Sequence, residues 1–248
     1  MIDVEAKLGE AVRHFWTTRS FQQARQGSSS GIKDAGNRSA VTGGKHADGF
    51  VELIRAIVAD AELPNIDILV HTSVKKHRTL PGYFRPSKEW DVVVMSGKDL
   101  IAVVEVKSQV GSFGNNFNNR VEEALGNATD FWTAYRKGVF KPSSKPWLGY
   151  LFMLEECPSS LQPTRRIALD PYPIDDTFQA LSYAKRYELV CERMVRELLY
   201  DAACFCTSNS KQGLKGRFSQ PSGELSIKNF AISLHAKAAA FAKIQGAP

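Results

Sequence analysis

The chain has 248 residues, 43% of them hydrophobic and 23% charged, which is the composition of a soluble globular protein and is read as one domain spanning 1–248. No apolar run approaches the roughly 18 residues of a membrane span, and the charged N-terminus lacks the apolar stretch of a secretory leader, so a cytoplasmic protein with no membrane partner is expected. A formal net charge of +6 points to an anionic partner, and the four cysteines have neither disulfide-scaffold density nor zinc-ligand spacing, so reduced structural thiols are expected.

In chain order, the first segment reads as a helix to about Ser20, with Ala11, Phe15 and Trp16 on its apolar face. Residues 22–40 are rich in Gln, Ser, Gly and Arg and read as a mobile loop able to order on a polyanion. From Asp48 a helix is predicted to about Ala61, striped by Phe50, Ile54, Ile57 and Ala61. Glu52 on its polar face is either an exposed helix carboxylate or an auxiliary acid aimed at a site. Ile66 to Thr72 alternates loosely and reads as a strand. The basic run Lys75-Lys76-His77-Arg78, with Arg85 and Lys88 beyond it, places positive potential where a phosphate backbone would enter. Leu80 to Pro86 is turn-rich.

Two apolar runs follow, Trp90 to Met95 and Leu100 to Lys107, joined by Ser96-Gly97-Lys98-Asp99. Charged groups interrupt these otherwise buried strands at Asp91, Glu105 and Lys107. Because side chains alternate with period two, Glu105 and Lys107 share a face and Val104 and Val106 take the other. A pair of carboxylates is a hard-oxygen site suited to Mg²⁺, and a lysine beside it fits metal-assisted phosphodiester hydrolysis, in which the lysine orients or deprotonates water and, held next to a cation in a partly desolvated site, can have a lowered pKa. The hairpin imposes a condition. Asp91 faces Glu105 when the loop is odd, as with Gly97-Lys98-Asp99; a two-residue Gly97-Lys98 loop sets Asp91 against Val104 unless a bulge restores the phase.

After Lys107, a loop through Arg120 leads to a helix ending near Lys137, with Asn118 or Asn119 as N-cap and Val121, Leu125, Ala128, Trp132 and Tyr135 as core positions. Trp147 to Leu154 is almost wholly apolar, as a buried parallel strand should be, so 100–154 is predicted as a βαβ unit. Further helices are expected from about Phe178 to Ala203 and from Asn229 to Ile244.

Asn115, Asn116, Asn118, Asn119 and Arg120 crowd the segment after the charged strand. Asparagine can bind adenine and arginine guanine through two atoms each, so the cluster suits contact with base edges or phosphates, while asparagine and glycine also serve ordinary loops. At this point three segments, Val41 to Phe50, Leu80 to Pro86 and Glu105 to Arg120, resemble the XhoI family of type II restriction endonucleases. The resemblance implies an α/β fold of the PD-(D/E)xK type with a mixed central sheet flanked by helices. It implies a homodimer, Mg²⁺ dependence and cleavage of double-stranded DNA at the palindrome CTCGAG. It makes Asp91 and Glu105 the metal carboxylates and Lys107 the catalytic lysine. Gln109, on the Lys107 face, is an auxiliary candidate, as is Glu52, and Lys45 joins Lys75, Lys76 and Arg78 as a candidate DNA contact. Two other readings share this fold: a repair or recombination nuclease that reads DNA structure, and a DNA-binding module without catalysis, against which the intact Asp, Glu, Lys set speaks.

Overall fold

The computed structural model describes residues 2–29, 47–62, 66–70 and 78–245. Its centre is a five-stranded sheet built from Ile66–Val70 (β1), Val92–Ser96 (β4), Asp99–Gln109 (β5), Trp147–Glu155 (β6) and Ala202–Ser208 (β7), in the order β1-β4-β5-β6-β7. Thr79–Pro81 (β2) and Ser87–Glu89 (β3) form a separate antiparallel ribbon. The sheet is mixed: β1, β4 and β5 run antiparallel to their neighbours, and β5, β6 and β7 run parallel. Parallel neighbours need a crossover, and helices supply both. Phe113–Arg136 (α3) links β5 to β6, completing the predicted βαβ unit, and Tyr183–Arg196 (α4) links β6 to β7.

The helices Val4–Ser29 (α1), Asp48–Ala59 (α2) and Ile227–Gln245 (α5) cover one face of the sheet. There Leu8, Phe15, Phe50, Ile54, Ile57 and Phe230 pack on Val92, Val104, Leu151 and Cys204. On the other face α3 and α4 pack on Val93, Val103, Tyr150, Phe152 and Phe205. This is the architecture expected of the sequence at the level of an α/β fold with helices on both faces of a mixed sheet. Among the described residues no helix is long and apolar enough to cross a membrane. All four cysteines are free, and burial pushes the Cys206 thiol up to about 12.

Several elements differ from the sequence prediction. α1 continues past Ser20 to Ser29, since Gln, Ala and Arg through this stretch are good helix formers, while 30–40 of the predicted loop lies outside the described residues. The predicted helix over 178–203 is cut short: α4 starts at Tyr183, where the Ser182 hydroxyl accepts the Lys185 N–H at 3.2 Å, and Leu198 beyond its end adopts φ 58. The rest, Ala202–Ser208, is a strand. All of its residues are buried, so it shows no alternation to separate it from a buried helix. α3 starts at Phe113, so the asparagines lie in its first turns and not in a loop, and its N-cap is Ser112, not Asn118 or Asn119. Gly111 (φ 67) and Ser112 (φ 48) are both left-handed and turn the chain into the helix. Ala128 and Trp132 are buried as predicted, but Leu125 is exposed and Ala124 and Phe131 take the core positions.

The β2–β3 ribbon is held on α3 by one carboxylate. Asp130 Oδ1 accepts the N–H groups of Tyr83 (2.7 Å) and Phe84 (2.8 Å), its Oδ2 accepts from Arg85 Nε (2.8 Å), and Arg85 Nη2 donates to Asn127 Oδ1 (2.8 Å). A Cβ at position 82 would lie 2.4 Å from Asp130 Oδ2, so Gly82 is what lets the loop close on the carboxylate. Burial pulls the Asp130 carboxyl upward, but the Phe84 and Tyr83 N–H groups and Arg85 outweigh it and hold it below the usual carboxylate range. A carboxyl with a depressed folded pKa contributes stability above its unfolded pKa and loses it as pH falls toward the folded one. Asp130→Ala should therefore lower unfolding free energy by about 1–3 kcal/mol at neutral pH. In thermal melts across pH, the gap to wild type should narrow on acidification below pH ~4; a gap independent of pH would contradict the assignment.

Candidate active site

The hairpin uses the two-residue turn, not the odd loop. Ser96 pairs with Asp99 and Met95 with Leu100 around Gly97-Lys98, and a register shift between Met95 and Val94 then leaves Val94 on Ala102, Val93 on Val103 and Val92 on Val104. The extra residue falls on β5 at Ile101, and the packing reports it: neighbouring Ile101 and Ala102 both enter the same core. The bulge is thus the phase correction that sets Asp91 on the line opposite Glu105.

Beyond Val92 the β4 ladder stops, and the Asp91 side chain takes over: its Oδ2 accepts the Val106 N–H at 2.8 Å. Glu105, only 2% exposed, is ion-paired with Lys107 through Oε1. A second ammonium reaches it from the ribbon. Lys88 Nζ lies 3.2 Å from Oε1 and 3.0 Å from Oε2 of Glu105, 3.1 Å from the Glu89 carbonyl and 4.5 Å from the centre of the Trp90 ring. Sequence reasoning placed Lys88 in a basic approach and missed this pairing, because nothing in the spacing shows that the ribbon folds back onto β5.

The electrostatics follow from burial and from these neighbours. Burial, then the Glu105 charge, pushes Asp91 up to about 6 against the opposing pull of Lys107, the Val106 N–H and Lys88. Burial would also raise Glu105, but Lys107 and Lys88 outweigh it and hold the carboxyl below its ordinary range. Burial would lower Lys107, yet Glu105 and Asp91 raise it overall. The lowering anticipated from the sequence depends on a cation beside Lys107, and the two carboxylates act in the other direction.

The residues fit a hard divalent cation. Glu105 Oε2 is buried and faces the Lys88 ammonium at 3.0 Å without an aligned hydrogen bond, so this carboxylate oxygen already meets a cation. Among the described residues no group of three or more His, Cys, Asp or Glu side chains converges.

Buried Gln109 donates from Nε2 to the Gly111 carbonyl, fixing the turn into α3. Glu52 is exposed on α2 and pairs with Arg55 at 3.4 Å. Arg78 is engaged by Glu89 and by the Trp90 carbonyl (3.0 Å), which fastens the end of the ribbon. Asn115, Asn118 and Asn119 are exposed on α3, and Asn116 Nδ2 donates back to the Ser112 carbonyl at 3.0 Å. Arg120 pairs with Glu123 at 2.7 Å, and its charge is felt by Lys107 and Tyr150, which puts it at the Lys107 end of the site. Lys45, Lys75 and Lys76 lie outside the described residues.

The family model described as restriction endonuclease XhoI matches residues 25–220, a span that includes Asp91, Glu105, Lys107 and Arg120. The chain is 46% identical over 208 residues to the type II restriction enzyme BstVI of Geobacillus stearothermophilus, covering 82% of this chain and 91% of that protein. It is 41% identical over 191 residues to the type II restriction enzyme XhoI of Xanthomonas vasicola (77% and 74% covered) and 43% identical over 173 residues to the type II restriction enzyme AbrI of Azospirillum brasilense (69% and 75%). No solved structure gives a significant match. With the family model spanning most of the sequence and relatives this similar along most of their length, the chain belongs to the restriction endonuclease XhoI family and is a type II restriction enzyme.

Proposed function

We propose that this chain is a Mg²⁺-dependent endonuclease of PD-(D/E)xK type that hydrolyses both strands of double-stranded DNA within the palindrome CTCGAG, acting as a two-fold homodimer of single-domain chains. The observation that carries the proposal is the convergence of Asp91, Glu105 and Lys107 where β4 gives out beside β5. Asp91 and Glu105 would hold Mg²⁺, which when bound supplies Lewis acidity at the scissile phosphate and a more acidic water. Lys107, kept cationic by the two carboxylates, faces the same place and stabilises negative charge that develops on the phosphate while orienting the water. Gln109 is a positioning residue, acting through the Gly111 turn. Asn115, Asn116, Asn118, Asn119 and Arg120, on the first turns of α3, follow the site strand closely enough to meet the groove beside the bond being cut. Lys45, Lys75 and Lys76 remain proposed contributors to phosphate attraction, consistent with the net positive charge, whereas Arg78 is taken up by Glu89 and the Trp90 carbonyl. The CTCGAG site comes from the family likeness, and the dimer from the two identical half-sites of a palindrome.

Digestion of DNA of known sequence tests this directly. Discrete fragments ending at CTCGAG are expected with Mg²⁺ and none with chelator, and Asp91→Asn, Glu105→Gln and Lys107→Ala should each cut roughly 100-fold to 10,000-fold more slowly while retaining DNA binding. Uniform degradation, or near wild-type cleavage by Lys107→Ala, would sink the reading. In sedimentation the protein on cognate duplex should carry two chains, and a persistent monomer would exclude the dimer.

Asn116→Ala and Arg120→Ala separate three roles for the start of α3. A base contact predicts loss of discrimination of about 1–3 kcal/mol at a single base pair. A phosphate contact predicts weaker binding to all sequences with a shallower salt dependence. A purely local role predicts a lower melting temperature with specificity intact. Binding to cognate and single-mismatch duplexes, measured beside thermal melts, should show one of the first two for at least one variant.

A further inference from the structure

Glu105 is held by two lysines from different elements, Lys107 on its own strand and Lys88 on the β2–β3 ribbon. Lys107 stands two residues away on the same strand and face. Lys88 reaches in from β3, outside the main sheet, on a four-carbon stem, and its ammonium already touches two alternative partners, the Glu89 carbonyl at 3.1 Å and the Trp90 ring at 4.5 Å. Its side chain is only 14% exposed, so this is a built contact and not a surface lysine that happens to lie near an acid.

The charge count gives the contact a consequence. Two carboxylates, Asp91 and Glu105, face two ammonium groups, Lys88 and Lys107, so the site is balanced as it stands. A divalent cation added with both lysines in place would leave two positive charges uncompensated in a poorly solvated pocket. Only departure of an ammonium or arrival of a phosphate relieves this. Lys88 has alternative partners on its own ribbon, and it lies 3.0 Å from Glu105 Oε2, a buried oxygen with no aligned hydrogen bond.

We propose that Lys88 is a stand-in cation on Glu105, a positioning residue that competes with the metal for this carboxylate and makes metal binding weak until DNA phosphate arrives. The proposal rests on the reading of Asp91 and Glu105 as the metal carboxylates. On metal binding the Lys88 ammonium swings off Glu105 toward the ribbon side of the site, where it can pair with a phosphate oxygen. Metal loading and DNA binding thereby become reciprocal, each favouring the other.

The test is metal affinity in the absence of DNA, read by electron paramagnetic resonance of Mn²⁺ titrated into the full-length protein. Lys88→Met keeps the apolar stem and removes the charge, and it should bind Mn²⁺ about tenfold tighter or more than wild type, while Lys88→Arg stays close to wild type. Equal or weaker Mn²⁺ binding by a folded Lys88→Met protein overturns the proposal, since a purely structural lysine would alter stability and not affinity. If Lys88→Met does not fold, wild type decides: acetylation of Lys88, followed by mass spectrometry, should rise at saturating Mn²⁺, and unchanged labelling overturns the proposal. Failure of wild type to bind Mn²⁺ even on cognate duplex, together with no cleavage in Mg²⁺, would remove the metal reading itself and this inference with it.

Discussion

A carboxylate 2% exposed in the middle of a sheet face is the constraint around which this molecule is arranged. Buried and ionised, Glu105 is tolerable only beside compensating charge, because desolvation of a lone carboxylate outweighs any packing gained from its stem. Lys107 answers part of that demand through strand periodicity alone. Lys88 answers the rest, and it does so only because the β2–β3 ribbon is fastened at both ends, by Arg78 to Glu89 and the Trp90 carbonyl and by Asp130 to the Tyr83 and Phe84 N–H groups. A carboxylate on α3 thus helps to hold a lysine against a carboxylate on β5.

The same strand shows how far local pattern carries. Period-two alternation placed Glu105 and Lys107 on one face, and the apolar runs on either side of Gly97-Lys98 defined the hairpin. What the pattern could not choose was the loop. An odd loop and a two-residue turn with a bulge put Asp91 at the same station, and they differ only in whether Ile101 and Ala102 face alike. Both residues are apolar, so sequence is blind to the difference, and the outcome is decided by the preference of hairpins for two-residue turns and the twist a bulge adds.

Where prediction missed elements, it lacked contrast and not composition. In Ala202–Ser208 the strand is buried on both faces, so no alternation of polar and apolar residues marks its period, and the preceding helix pattern ran straight into it. The asparagines at the start of α3 are weak helix formers, which favoured a loop, but the left-handed pair Gly111 and Ser112 begins the helix earlier and tertiary packing of Phe113 against Tyr183 holds that first turn down. The pairing of Lys88 with Glu105 was out of reach for a different reason: it depends on a ribbon docking in three dimensions, and charge spacing along the chain carries no trace of that.

The early start of α3 ties the site to the surface that carries the asparagines. From Lys107 the chain runs through Gln109, whose amide grips the Gly111 carbonyl, and Gly111 in turn donates its N–H to Glu155 at 3.0 Å, so the end of β5 and the end of β6 clamp the turn together. Nothing between Lys107 and Asn115 is a loose loop. On the proposed function, a helix that shifts as it engages bases would drag the Lys107 end of β5 with it, and Arg120, close enough for its charge to reach Lys107, would move as well. A rigid joint of this length is a physical route by which recognition of a sequence can set the geometry of the carboxylate and ammonium groups that act on the backbone beside it.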